Sequence, residues 1–105
     1  MSDERVWVVT DATRSLAVAF VRRLLLDEAN YVFATVPSLS TDLTAPLRRL
    51  QRRYLEKGDD RLQLIHLDTD SHVSIRAAAA TIEQLKPGGV DYVINNNGAA
   101  ARAHP

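Results

Sequence analysis

Short β-branched runs alternate along this chain with longer stretches of helical spacing. Arg5 to Thr10 is a nearly continuous apolar run, as a strand buried on both faces would be. From residue 16 to 27, Leu16, Ala19, Phe20, the Arg23 stem, Leu24 and Asp27 fall at helical intervals, and Leu25 and Leu26 widen that face. Tyr31 to Val36 forms a second strand, ended by Pro37, which cannot donate to a ladder. Ser40 or Thr41 can cap a second helix, whose stripe is Leu43, Leu47, Leu50 and Tyr54; Gly58 is its stop. A third strand runs from Arg61 to Asp68, apolar at Leu62, Leu64, Ile65 and Leu67. Asp70 or Ser71 caps a third helix that reaches Leu85 before Pro87-Gly88-Gly89 breaks it. Val90 to Asn95 is a fourth strand.

The order β-α-β-α-β-α-β implies right-handed crossovers and a parallel sheet. The expected fold is an α/β half-unit, four strands in the order 3-2-1-4. The first two helices should cover one face and the third helix the other.

Composition narrows the picture. At 105 residues and 46% hydrophobic content, a single domain over residues 1–105 with one modest core is expected. Thirteen Lys+Arg balance thirteen Asp+Glu, so no global field draws in nucleic acid or an anionic membrane. With no cysteine, disulfides, thiolate zinc sites and cysteine nucleophiles are excluded. The charged start, Ser2-Asp3-Glu4-Arg5, does not read as a signal peptide, and no apolar stretch is long enough to span a membrane. A cytoplasmic setting is expected.

Three segments carry a family resemblance. The turn after the first strand reads Thr10-Asp11-Ala12-Thr13-Arg14-Ser15-Leu16-Ala17. The third strand ends His66-Leu67-Asp68-Thr69-Asp70, and the fourth ends Asn95-Asn96-Asn97-Gly98-Ala99. Together they resemble the amino-terminal, Rossmann-like half of a short-chain dehydrogenase/reductase, with its Thr-Gly-x-x-x-Gly-x-Gly turn, strand-end Asp and Asn-Asn-Ala-Gly. The resemblance implies NAD(P) binding through Thr10, Arg14, Leu16, Asp68, Asn95 and Gly98. Arg14 matches a position that faces the 2′-phosphate of NADP, Asp68 one beside the adenine, and position 36 is Val, not a ribose-binding acid. NADP is therefore the better cofactor expectation.

The departures weigh against tight binding. Asp11, Ser15 and Ala17 stand where the family has glycines, which permit the tight turn and close approach of backbone to pyrophosphate. Asp11 sets a carboxylate where those phosphates would lie, and can instead accept from the amides opening the first helix. The family's catalytic Ser and Tyr-x-x-x-Lys follow its fourth strand. Here the only approximation, Tyr54-Leu55-Glu56-Lys57, has the wrong spacing. The chain thus reads as a truncated, non-catalytic Rossmann-type module with weak or no dinucleotide binding. The alternative is the cofactor-binding part of an NADP-dependent carbonyl/alcohol oxidoreductase whose catalytic half lies elsewhere.

Two other patterns are weaker. His66, Asp68, Asp70 and His72 alternate as metal ligands could, but a strand end and a helix cap must break that alternation. Arg48, Arg49, Arg52, Arg53 and Lys57 read as a solvated helix face and not as a phosphate contact. The fourth strand, with only Asp91 to blunt it, reads as an open edge. A homodimer or a complementary protein chain joined through Val90–Asn95 and the tail beyond it is expected.

Overall fold

A computed structural model describes residues 3–96. Its elements are β1 (Arg5–Val9), α1 (Ser15–Leu25), β2 (Asn30–Val36), α2 (Ala45–Glu56), β3 (Leu62–His66), α3 (His72–Leu85) and β4 (Tyr92–Ile94). All strand pairs are parallel, in the order β3-β2-β1-β4. One core joins Ala17, Val18, Val21 and Leu25 of α1 and Leu47 and Leu50 of α2 to Val9, Val32, Ala34, Val36 and Leu62. The other packs Ala78 of α3 on Val6, Val8, Tyr31, Phe33 and Ile65. The four-stranded sheet and its two helical layers are therefore as the alternating pattern predicts.

Local details differ. The buried face of α1 is Ala17, Val18, Val21 and Leu25, while Leu16 is 61% exposed and Phe20 is only partly covered. Eight of its eleven residues are apolar, and the exposed Arg22 and Arg23 mark the solvent side, which Leu16 and Ala19 share. The close-packed small residue Ala17 and the β-branched Val18 and Val21 settle which phase meets the sheet. Leu43 likewise leaves the expected stripe and is exposed. Residues Asp42–Thr44 form a separate 3₁₀ turn, and Thr44 is buried with its hydroxyl donating to the Ser38 carbonyl at 2.6 Å. Ser71, not Asp70, caps α3, its hydroxyl accepting from the Ser74 amide at 3.1 Å.

The end of α2 is a Schellman motif. Gly58 sits at φ +78°, its amide donating to the Leu55 carbonyl and the Asp59 amide to the Tyr54 carbonyl. β4 is short, and its side chains Tyr92 and Val93 are exposed. Tyr92 stacks on Trp7 with ring centroids 4.4 Å apart. Asp91 extends the pairing, its amide donating to the Val6 carbonyl and its carboxylate accepting from the Val6 amide. Among the described residues no helix is long and apolar enough to cross a membrane.

Two polar residues tie the strand starts together. Buried Asn30 accepts from the Trp7 indole and the Arg5 side chain, and donates to the Leu24 carbonyl. Arg61 donates to the carbonyls of Leu25, Asp27 and Asn30 while pairing with Asp59 at 2.8 Å. It thus caps the carboxyl end of α1 from the opposite side of the α2 crossover.

Replacing Arg61 with Met should lower the unfolding free energy by about 3 kcal/mol, because three carbonyls lose a charged donor. Urea midpoints measure this. Hydrogen bonding from Arg61 holds the Asp59 carboxyl below its usual value. That stabilisation is present above the unfolded pKa, about 3.9, and is lost as pH falls through the folded value. The pair is partly solvated, so Asp59→Asn should remove about 1 kcal/mol or less of this acid-side dependence.

Candidate functional site

Open parallel sheets bind ligands beyond the carboxyl ends of their strands, where crossovers diverge. Here that region holds a cleft of about 240 Å³ lined by the turn after β1, the end of β2 and the loop after β3. Thr10 and Asp11 form one side, Thr35, Val36 and Pro37 the floor, and Leu67 to Asp70 the other side.

The turn after β1 is built around Asp11. It adopts φ +49°, the one non-glycine residue in the left-handed region among the described residues. Such a conformation costs a side-chain-bearing residue about 1 kcal/mol, and Asp tolerates it better than most. Thr35 holds it there: its hydroxyl accepts from the Asp11 amide at 3.2 Å and its carbonyl from the Ala12 amide at 2.8 Å. The chain then turns into α1 without a side-chain cap. The Asp11 carboxylate does not take up helix amides, as the sequence had suggested it could. It accepts from the Thr13 hydroxyl at 3.5 Å and faces the Arg14 guanidinium at 3.9 Å.

On the opposite side, Asp68 opens the turn into α3. Its carboxylate accepts from the Asp70 amide at 3.0 Å, and its own amide donates to the buried Ser74 hydroxyl. Asp68 and Asp70 are exposed at the rim. The cleft is therefore lined with hydroxyls and three carboxylates. No cation lines it.

No family model matches the chain, and no curated protein matches it. Solved structures do. The NADPH-bound carbonyl reductase from chicken fatty liver superposes with a TM-score of 0.79 at 29% identity, covering 93% of this chain and 36% of that one. The menthone neomenthol reductase from Mentha piperita gives 0.76 at 22% identity, covering 92% and 32%. This chain has the fold of those reductases. It spans about a third of their length.

The structure separates the six residues expected to contact cofactor. Thr10 and Asp68 line the cleft. Asn95 lies beside Thr10, whose hydroxyl donates to its side-chain oxygen at 3.0 Å and accepts from the Asn96 amide at 2.8 Å. Arg14 is half exposed and turned to Asp11, and Leu16 projects into solvent; neither lines the cleft. Gly98, like Asn97, lies outside the described residues. Thr35 is the residue that motif reading passed over. Its signal was a hydroxyl at the penultimate position of a strand whose other residues, Asn30 at its start aside, are apolar or aromatic.

The remaining candidates do not converge. His66 ends β3 while His72 begins α3, so the four-residue alternation is broken, and no group of three or more metal-ligating side chains gathers among the described residues. Tyr54 and Lys57 lie toward the α1 side of α2, the ring partly buried against the core and the ammonium 5.7 Å from its centroid, away from the cleft.

A dinucleotide does not fit this turn well. Where a phosphate would need bare amides and close backbone approach, the chain presents the Cβ and carboxylate of Asp11 in a strained conformation. A β-branched residue there should be worse tolerated. Asp11→Val should lower stability by about 1–2 kcal/mol, whereas Asp11→Gly should change it by less than about 1 kcal/mol. Thermal unfolding followed by circular dichroism checks both.

Proposed function

We propose that this chain is a non-catalytic Rossmann-type module, shaped like the nucleotide-binding half of a carbonyl reductase but acting by association. The observation that carries this reading is the Asp11 carboxylate at the amino end of α1. Two unit charges 4 Å apart repel by about 4 kcal/mol at an effective dielectric near 20. A pyrophosphate seated there would lose much of a micromolar affinity. Arg14, the cation expected to answer a 2′-phosphate, already faces Asp11.

A second reading is favoured by the 29% identity to an NADPH-bound reductase. On it, the chain is the cofactor-binding part of an NADP-dependent carbonyl/alcohol oxidoreductase. The residues that would hold the nucleotide are Thr10, Asp68 and Asn95, with Arg14 freed from Asp11. One titration separates the two. NADPH followed by Trp7 fluorescence or calorimetry should bind with Kd weaker than about 100 μM, and Asp11→Gly with Ser15→Gly should tighten it about tenfold. Low-micromolar binding by the unaltered chain would establish the second reading.

Association is supported by β4, which among the described residues pairs only with β1 and leaves Tyr92 48% and Val93 62% exposed. Val90 to Asn95 is the surface we assign to a second copy or a complementary chain, in a cytoplasmic setting that suits a cysteine-free protein and without nucleic acid or membrane. Sedimentation equilibrium at tens of micromolar should give the mass of a dimer, shifted toward monomer by Val93→Lys. A monomer would leave a different chain as the partner.

A further inference from the structure

A concavity larger than the strand-end cleft, a groove of about 490 Å³, lies between α1 and α2. Both helices follow parallel strands on the same face of the sheet, so they lie side by side in the same direction. Each contributes positions at i, i+3, i+4 and i+7. These are Ala19, Arg22, Arg23 and Leu26 on one wall, and Leu50, Arg53, Tyr54 and Lys57 on the other. The lined segment spans about two helical turns, or about 10 Å, on each wall.

The chemistry of the groove is mixed in an ordered way. Ala19, Leu50 and the Tyr54 ring give it an apolar floor, and Leu26 at its end is 71% exposed. Cations stand on both walls. Arg22, Arg23 and Arg53 are exposed and form no ion pair among the described residues. Part of this charge suits the carboxyl ends of the two helices. That role needs neither an apolar floor between the cations nor an exposed leucine at its end.

We infer that this groove docks an acidic amphipathic helix of another protein, with leucine-like residues in the floor and Glu or Asp on both flanks. A ligand charged at one end would engage one wall only, whereas a helix with a stripe flanked by acids meets both. A second copy of this chain does not supply such a helix. α1 has no carboxylate, α2 has only Glu56 and α3 only Glu83. The groove is separate from the strand-end cleft and from β4, so it stands or falls apart from the nucleotide question.

The probe is a fluorescein-labelled helical peptide of about 14 residues, long enough to cover the groove, with leucines at i, i+3, i+4 and i+7 flanked by glutamates. Anisotropy should show saturable one-to-one binding with Kd of about 10–100 μM. Three changes should each weaken it about tenfold or more: scrambling the peptide, replacing its glutamates with lysines, and the Arg22→Glu/Arg53→Glu variant. Those two arginines are exposed, and an unchanged melting curve verifies that the variant folds. Arg76→Glu, on α3 across the sheet, should leave binding within about twofold. Equal binding of the scrambled peptide would reduce the site to charge alone and overturn the proposal. So would displacement by a single-stranded oligonucleotide at lower concentration, or the absence of saturable binding.

Discussion

Seven consecutive residues of β2, Asn30 to Val36, are buried, and their side chains point alternately into two separate cores. A strand of that kind has no solvated face, so it is stable only if a helical layer covers each side and a strand pairs along each edge. Everything else in the chain answers that demand. β1 and β3 supply the edges, α1 and α2 one cover, α3 the other. Even its two polar residues are satisfied: Asn30 enters the interior with its side-chain amide and carbonyl both engaged, and the Thr35 hydroxyl accepts from the Asp11 amide, which removes the penalty of an unpaired buried group.

That dependence also explains how much of the fold was legible. Runs such as Val6-Trp7-Val8-Val9 and Tyr31 to Val36 are too short and too β-branched to be buried helices, so strand identity followed from alternation, and the parallel sheet from right-handed crossovers between the strands. Rotational phase was misread in α1: eight of its eleven residues are apolar, and the sheet takes Val18 and Val21, on the side away from Arg22 and Arg23, instead of Leu16 and Phe20. Leu43 was misplaced because a 3₁₀ turn interrupts the helical count ahead of α2.

The site was legible by position but not by contact. Thr10 and Asp68 line the cleft because strand ends converge there by topology. Arg14 and Leu16 were assigned through a motif whose glycines this chain lacks, and without them the turn is organised by Thr35 and Asp11. The inter-helix groove was invisible in one dimension for a different reason. Its basic and apolar residues belong to two helices separated by a strand, and each set looked ordinary alone. A net charge of zero conceals this arrangement, with carboxylates around the cleft and guanidinium groups along the helices.

The reach of Arg61 bears on how the molecule assembles. Its carbonyl partners at Leu25, Asp27 and Asn30 precede it by more than thirty positions, so the cap that Asn30 begins at the Leu24 carbonyl is completed only once the second crossover has delivered β3. A nascent β1-α1-β2 unit would lack this charged donor and leave its second strand half uncovered. Such a unit gains little by forming early, and non-local pairing of this kind slows folding. The same link works in reverse: peeling β3 from the sheet edge frees the last turn of α1 as well. Slow amide exchange in that turn would therefore report the departure of β3 from the sheet edge, not local fraying at a helix end.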